Sequence, residues 1–215
     1  ARRARPRGAL AAILLVGALL RLFAASDGYL HEWDERYHAL VAKNLMSAPL
    51  TPVLYETPLL EHDHRDWMAN HVWLHKPPLA LWAMALSMRL FGVHELALRL
   101  PSLLFGTLGI FVTYRIGRAL LDTNTGLLAA SLHAVNGLLL DLGSGRIASD
   151  HVDTLVVFLV TLGAWLAIGE TRPGDRMRLG PVVAIGVCTG LTFLTKWMVA
   201  LLIPAVWISL AWRAH

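Results

Sequence analysis

The 215-residue chain is 56% hydrophobic and 16% charged, with a mean hydropathy of +0.54, and is therefore far more apolar than an ordinary soluble domain. Its net charge of +4 could suit nucleic acid, but the arginines stand beside hydrophobic runs and do not form one basic face with interleaved aromatic residues. The single cysteine, Cys188, excludes an internal disulfide and a cysteine-based zinc site. The composition predicts a protein of the lipid bilayer that does not bind nucleic acid.

The N-terminal segment carries four arginines ahead of an apolar run of about residues 9–25. By the positive-inside rule this basic flank predicts a cytoplasmic N-terminus and a first span that runs outward. No small-residue cleavage site follows the run, so we expect a retained anchor. Residues 26–76 are polar and rich in His, Asp, Glu and Trp, which predicts a long extracytoplasmic loop. Loops of this length usually carry function.

The apolar run 77–91 is too short to span a bilayer comfortably, and Arg89 interrupts its end, so we expect an interfacial helix. Counting this run as a span would invert every later one and put the basic segment 171–178 outside. The pair Lys196-Trp197 is predicted to be an outer turn between two spans. The predicted spans are about residues 9–25, 98–121, 127–142, 154–168, 180–195 and 197–212. The expected fold class is an all-α polytopic transmembrane protein whose long extracytoplasmic first loop contains interfacial helices.

Acidic residues cluster in the segment Glu32-Trp33-Asp34-Glu35-Arg36-Tyr37, just after the first span. A carboxylate there can meet an aqueous substrate while a lipid chain stays in the bilayer. A general base must be ionised, and a neighbouring arginine such as Arg36 keeps a carboxylate charged. Asp34 or Glu35 could therefore act as a base. The alternative is that both acids only stabilise the first turn of a helix that continues through Ala42.

A cation stands at the mouth of the interfacial helix in Leu74-His75-Lys76-Pro77-Pro78-Leu79. The prolines suit a first helical turn, and Lys76 could hold a phosphate as a point charge. The alternative is a lysine that merely extends toward lipid headgroups.

A second charged cluster precedes the span at 154–168. Arg146, Asp150 and Asp153 fall at i, i+4 and i+7, so on a helix they would share a face, with Arg146 able to pair with Asp150. Charges at membrane depth are functional candidates, and the predicted topology puts this cluster on the same side as Asp34. A solvated ion pair is the alternative.

Histidines at i, i+2 in Glu61-His62-Asp63-His64 and at i, i+4 in His71 and His75 have the spacing of metal ligands. Histidines in a polar loop are more often solvated, so this pattern predicts a metal site only weakly.

Four segments in order resemble the protein O-mannosyltransferase and lipid A aminoarabinose transferase superfamily: Trp33-Asp34-Glu35-Arg36-Tyr37, His75-Lys76-Pro77-Pro78-Leu79, Leu98-Arg99-Leu100-Pro101-Ser102 and Gly190-Leu191-Thr192-Phe193-Leu194-Thr195-Lys196. The resemblance implies a multispanning enzyme that takes sugar from dolichyl or undecaprenyl phosphate without a nucleotide sugar at the site. The acceptor would be lipid A, a protein or another envelope glycan. Residues 1–215 would form the N-terminal part of one transmembrane domain in the plasma (inner) membrane, with an extracytoplasmic active site.

The resemblance also implies roles for individual residues. Asp34 matches the catalytic acid of the first outer loop. Asp150 fits the second acid best by its distance from the Lys-Pro-Pro motif, and Asp153 stays open. Substrate-binding roles fall to Lys76, Arg146, Arg36 and Tyr37. Relatives can place a divalent metal near the lysine motif, for which His75 is a candidate ligand.

Two departures from the superfamily stand out. Such chains are usually at least about twice this length, and Trp197-Met198 replaces the Gly-Pro that follows Thr-Lys in relatives. A transporter, with charges near the bilayer midplane on broken helices, and a non-catalytic assembly subunit are the rival functions.

Overall fold

The predicted all-α class is confirmed by a computed structural model that describes residues 6–59, 61, 63, 65, 70–148, 151–171 and 178–214. Within these residues the only extended pairing is an isolated bridge between Val53 and Val72. The helices are α1 (Pro6–Ala24), α2 (Asp34–Leu45), α3 (Leu79–Phe91), α4 (Glu95–Leu120), α5 (Thr123–Ala134), α6 (Gly137–Ser144), α7 (His151–Glu170), α8 (Leu179–Lys196), the 3-10 helix Trp197–Leu201 and α9 (Leu202–Ala214).

Four helical stretches in the described part of the chain are long and apolar enough to cross a membrane, which makes this a multi-pass membrane protein. They are Pro6–Ala24, Glu95–Leu120, His151–Glu170 and Leu179–Trp212, and the bent pair α5 and α6 would bring the number to five. At 13 residues α3 is too short to span, in keeping with the predicted interfacial helix.

The predicted span at 127–142 is bent in the structure, because α5 and α6 meet there at an angle of 50°. Val135 ends α5, and Asn136 starts the next helix by accepting a hydrogen bond from the backbone N–H of Leu139 at 3.1 Å. Asparagine is a strong N-cap, and its amide oxygen stabilises a new helix start in the middle of the apolar run.

The stretch Leu179–Trp212 turns back on itself at Trp197. A straight helix of this length would measure roughly 50 Å, well beyond a bilayer core of about 30 Å. Lys196 Nζ lies 2.6 Å from Asp153 Oδ1 at the start of α7, whereas Ile203 packs against Gly163, much further along α7. Helix α9 therefore runs back beside α7, and the break coincides with the predicted Lys196-Trp197 turn.

Helix α4 packs against α1, α3, α5, α6 and α7 and occupies the centre of the bundle. Arg21 in α1 is buried and donates hydrogen bonds to the carbonyls of Gly17, Ala134 and His133 at 3.1 to 3.4 Å, which fastens α1 to α5. The C-terminal end of α1 and the N-terminal ends of α4 and α7 meet at one end of the bundle, because Arg99 contacts the Ala25 carbonyl and Ser102 contacts His151. We call this the polar end.

Candidate active site

Two adjacent acids at the start of α2 face different surroundings. Trp33, the residue before the helix, has φ 66° and caps it with no side-chain hydrogen bond. Successive residues of a helix point about 100° apart, so Glu35 turns inward and is fully buried while Asp34 stays partly exposed. The two carboxylates, which the residue pattern alone could not separate, thus have different environments.

Glu35 is the centre of a buried network. Arg99 Nε and Nη2 donate to its Oε1 and Oε2 at 2.7 and 3.1 Å, and His151 Nε2 donates to Oε1 at 3.1 Å. The backbone N–H and Nδ1 of His31 donate to Oε2 at 2.6 and 2.8 Å. Burial by itself raises the pKa of Glu35, but the hydrogen bonds from His151 and Arg99 outweigh it and hold the pKa well below its usual value. The carboxylate therefore stays ionised and has no free position for a substrate.

The rest of the network links α1, α4 and α7 at the polar end of the bundle. Arg99 also donates to the carbonyls of Ala25 and Asp27 at 3.0 and 2.6 Å, just beyond the end of α1. With its Nε2 donating to Glu35, His151 accepts at Nδ1 from the Ser102 hydroxyl at 3.0 Å. Helices α1, α2, α4 and α7 are thereby fixed around one buried carboxylate.

Asp34 pairs with Lys76, whose Nζ lies 3.5 Å from its Oδ2. The Lys76 segment is held beside α2 by aromatic contacts: Tyr37 stacks on Trp73 at 5.3 Å between ring centroids, and Trp73 meets His75 edge-on at 5.2 Å. Burial, followed by the neighbouring Lys76 charge, lowers the pKa of His75, which leaves this imidazole neutral at pH 7. The acid and cation motifs predicted from the sequence are therefore in contact.

The second charged cluster is only partly as expected. Asp153 pairs with Lys196 at 2.6 Å in the first turn of α7. Arg146 does not share a helix with Asp153, because Gly145, at φ 77°, ends α6 before it and α7 begins at His151. Arg146 donates to Asp27 at 2.9 and 3.2 Å, and this hydrogen bond holds the pKa of Asp27 below its usual range. Asp150 lies outside the described residues.

An apolar cavity of about 450 Å³ opens beside the Asp34–Lys76 pair. Lys76 is the only charged residue among its described lining, and its other walls are the residues Leu45, Pro49, Leu50, Pro52, Trp73, Leu74, Pro77, Pro78, Leu81, Trp82, Phe193, Leu194 and Trp197. The pairing of one ammonium group with apolar walls suits an anion attached to a hydrocarbon chain.

Arg36 lies on a different face of α2. Its Nε donates to the Leu30 carbonyl at 3.4 Å, and it lines a separate cavity of about 440 Å³ between α2, α3 and the start of α4. A larger cavity of about 700 Å³ is bounded by Lys43, Tyr55, His71 and neighbouring loop residues, and contains neither Asp34 nor Lys76. We therefore locate the candidate site at the cavity that Lys76 lines.

No group of three or more His, Cys, Asp or Glu side chains in the described part of the chain is arranged to hold a metal ion. His75 thus has no metal-binding cluster around it there, and His62 and His64 lie outside the described residues.

Arg99 and His151 carry the buried network, although the sequence motifs gave neither a role. A signal was present for Arg99, since an arginine in an apolar helix requires a buried partner. Nothing in the sequence indicated that this partner would be Glu35, in a different helix.

Residues 75–215, more than half of the chain, match the family described as dolichyl-phosphate-mannose-protein mannosyltransferase. The chain belongs to this family. One curated relative is the undecaprenyl phosphate-alpha-4-amino-4-deoxy-L-arabinose arabinosyl transferase 1 of Pseudomonas fluorescens, 29% identical over 66% of this chain and 25% of that protein. A similarly named transferase from Pseudomonas savastanoi is 24% identical over 90% of the chain and 34% of its own length. The chain thus spans about a quarter to a third of these relatives.

Solved structures share the fold. ArnT from Cupriavidus metallidurans bound to undecaprenyl phosphate superposes with a TM-score of 0.64 and 18% identity, over 96% of this chain and 40% of that one. The archaeal oligosaccharyltransferase AglB from Archaeoglobus fulgidus, in complex with an inhibitory peptide and a dolichol-phosphate, gives a TM-score of 0.64 and 15% identity over 95% and 29%. At these low sequence identities, the superpositions show that this chain has the same fold as the two solved proteins, and nothing more.

Proposed function

We propose that this protein is a membrane glycosyltransferase that moves a sugar from a polyprenyl-phosphate carrier to an extracytoplasmic acceptor: lipid A, a protein or another envelope glycan. The observation that carries the proposal is the Asp34–Lys76 ion pair, whose lysine lines an apolar cavity. It combines a proton acceptor, a cation for a phosphate and space for a lipid chain. The curated relatives are named for sugar transfer from undecaprenyl phosphate, and the active site would face outward from the plasma (inner) membrane.

The reaction is a single displacement. The acceptor oxygen attacks the anomeric carbon while the bond from that carbon to the phosphate oxygen breaks, and the carrier phosphate leaves with the electron pair. Asp34 takes the proton of the acceptor, and the Lys76 ammonium stabilises the charge that develops on the leaving phosphate. One displacement inverts the configuration at the sugar.

Glu35 positions Asp34, because its fully satisfied carboxylate fixes the first turn of α2 against α4 and α7. Asp150 stays the first candidate for the second acid, with Asp153 as the alternative, and Asp153 also holds the end of α8 through Lys196. Arg146 and Tyr37 support the site indirectly. Arg146 pairs with Asp27 and holds the loop after α1 in place, and Tyr37 stacks on Trp73 and holds the loop that carries Lys76.

Replacing Asp34 tests the base assignment. Asp34→Asn keeps the shape of the side chain but removes the proton acceptor, so kcat should fall by about 10²- to 10⁴-fold while folding and membrane insertion persist. The assay measures sugar transfer by the purified full-length protein in nanodiscs, normalised to folded protein. Glu35→Gln is the matched control, and per folded molecule it should lose less activity. Normal turnover by Asp34→Asn would refute the assignment, and an equal or greater loss for Glu35→Gln would exchange the two roles.

Replacing Lys76 tests the phosphate contact. A charge-assisted contact is worth about 1.5–3 kcal/mol, so Lys76→Ala should reduce kcat/KM by roughly ten- to a hundredfold. Lys76→Arg should rescue only in part, because a planar guanidinium fits poorly in place of a compact ammonium that lies 3.5 Å from Asp34 Oδ2. If the lysine merely extends toward headgroups, arginine would restore activity fully and alanine would change little.

A further inference from the structure

Trp197 has a backbone conformation that side-chain-bearing residues rarely adopt. Its φ is 23° and its ψ is −109°, and within the described residues Trp33 is the only other non-glycine residue with positive φ. Such a conformation persists only where the surrounding structure enforces it, and it is concentrated at functional sites.

The residues on both sides of Trp197 enforce this turn. Lys196 is tied to Asp153 at 2.6 Å, and Ala200 and Ile203 are completely buried as the chain returns along α7. The turn between them therefore cannot relax without breaking the ion pair or moving core residues.

The strained turn keeps a large aromatic residue out of the core. Trp197 is 56% exposed, although the 3-10 helix that it begins leads directly into buried residues. It lines the 450 Å³ cavity together with Phe193 and Leu194 of α8, on a wall formed by a different part of the chain from the Lys76 wall. An exposed indole that lines the same cavity as the Lys76 ammonium suits the part of a ligand where hydrocarbon meets an anion.

We propose that Trp197 is a specificity-determining residue that packs against the isoprenoid units nearest the carrier phosphate. The inference rests on the proposed function, since it takes Lys76 as the contact for that phosphate. Trp197 then discriminates between ligands by their hydrocarbon chain, and Lys76 binds their phosphate charge.

The test compares three ligands that share a phosphate and differ in hydrocarbon: inorganic phosphate, geranyl phosphate and farnesyl phosphate. Their binding is measured by calorimetry with the full-length protein and its Trp197→Gly, Trp197→Phe and Lys76→Ala variants. Trp212→Ala is the matched control, because Trp212 is an 85% exposed tryptophan of the same stretch that does not line the cavity.

Trp197→Gly should weaken farnesyl phosphate binding about tenfold through the lost ring contact and leave inorganic phosphate binding unchanged. Its melting temperature should hold or rise, because glycine accepts the positive φ. Trp197→Phe should stay within about threefold of wild type for farnesyl phosphate, since it keeps an aromatic ring, and Trp212→Ala should match wild type. Lys76→Ala should weaken all three ligands.

Wild-type affinity of Trp197→Gly for farnesyl phosphate would overturn the inference. So would a lower melting temperature with equal losses for all three ligands, because that pattern indicates a purely structural tryptophan. Unchanged phosphate binding by Lys76→Ala would instead contradict the proposed phosphate site, and the chain-length dependence of Trp197→Gly would still report on Trp197.

Discussion

Asp34 and Glu35 are neighbours of the same chemical kind, yet the fold places them in different surroundings. Glu35 is fully buried, and both of its oxygens accept hydrogen bonds. Asp34 is partly exposed, and its carboxylate contacts the ammonium group of Lys76. A general base must offer a carboxylate oxygen that can accept a hydrogen bond from the substrate. Of these two acids, Asp34 is the one whose oxygens are not already filled by buried donors. The surroundings of the two carboxylates are therefore the basis on which we propose Asp34, and not Glu35, as the base.

The sequence identified Asp34 and Lys76 as candidates because acids and cations beside apolar runs are unusual. The family resemblance favoured Asp34, but the residue pattern alone could not separate Asp34 from Glu35. Their different surroundings depend on Arg99 and His151, which are 64 and 116 positions away from Glu35. Contacts over such separations depend on how helices pack. The same reason explains why the sequence did not reveal the contact between Arg146 and Asp27.

Glu35→Gln should make the protein less stable and less sensitive to acid. Removing one partner of a buried ion pair costs about 3–5 kcal/mol, so the melting temperature at pH 7 should fall clearly. Because the folded-state pKa of Glu35 is lowered, its stabilising effect is complete above the unfolded-state pKa of about 4.3 and is lost as the pH falls below it. The difference in melting temperature between wild type and Glu35→Gln should therefore shrink from pH 6 toward pH 3.

The exposed Glu32 gives the control for this experiment. Glu32→Gln removes the same charge three residues away without touching the network, so its melting temperature should follow that of wild type across the pH range. A constant difference between wild type and Glu35→Gln from pH 6 to pH 3 would show that the Glu35 carboxylate is not held ionised by folding.

At the scale of elements, apolar runs predicted the position of most helices but not where they break. Helices α4, α7 and α8 lie within a few residues of the predicted spans. The break between α5 and α6 depends on a local cap at Asn136, and the signal for it was a single polar residue in an apolar run. The conformation of Trp197 depends on long-range anchoring at Asp153, which periodicity cannot reveal.

The contact between α4 and α5 depends on two glycines. A Cβ atom at Gly126 would lie 2.7 Å from the Tyr114 carbonyl oxygen, and one at Gly117 would lie 2.9 Å from the Gly126 Cα. Because the obstructing atoms belong to the backbone, Gly126→Ala should destabilise the protein by about 1–3 kcal/mol. In contrast, a Cβ at the helical Gly186 meets nothing within 4 Å, so Gly186→Ala should leave stability unchanged or raise it by up to about 1 kcal/mol. Thermal unfolding in one detergent compares the Gly126→Ala and Gly186→Ala variants. Equal melting temperatures would contradict the close approach of α4 and α5.

At the scale of the whole molecule, the candidate site and its ion pairs lie at one end of the helix bundle. Asp34, Lys76, Glu35, Asp153 and Lys196 all lie at the polar end, together with Asp27 and Arg146. The opposite end carries Arg115, which stands over the Trp165 ring at 4.8 Å, and Arg118. Because these charged residues lie toward the ends of the bundle and not at the middle of its spans, they favour an interfacial enzyme over a transporter, whose charges would lie near the bilayer midplane.

The orientation of this bundle follows from the basic residues at the end opposite the site. Arg115 and Arg118 precede the short turn at Asp122, and the segment 171–178 adds three arginines after α7, so the positive-inside rule predicts that this end is cytoplasmic. An impermeant thiol reagent should then modify Ala148→Cys, next to Arg146 at the polar end, in intact cells and should modify Asn124→Cys only after the membrane is opened. Both positions are exposed, and the native Cys188 is buried, so the unmodified protein gives the background. Labelling of Asn124→Cys alone in intact cells would invert the topology and put Asp34 and Lys76 on the cytoplasmic side.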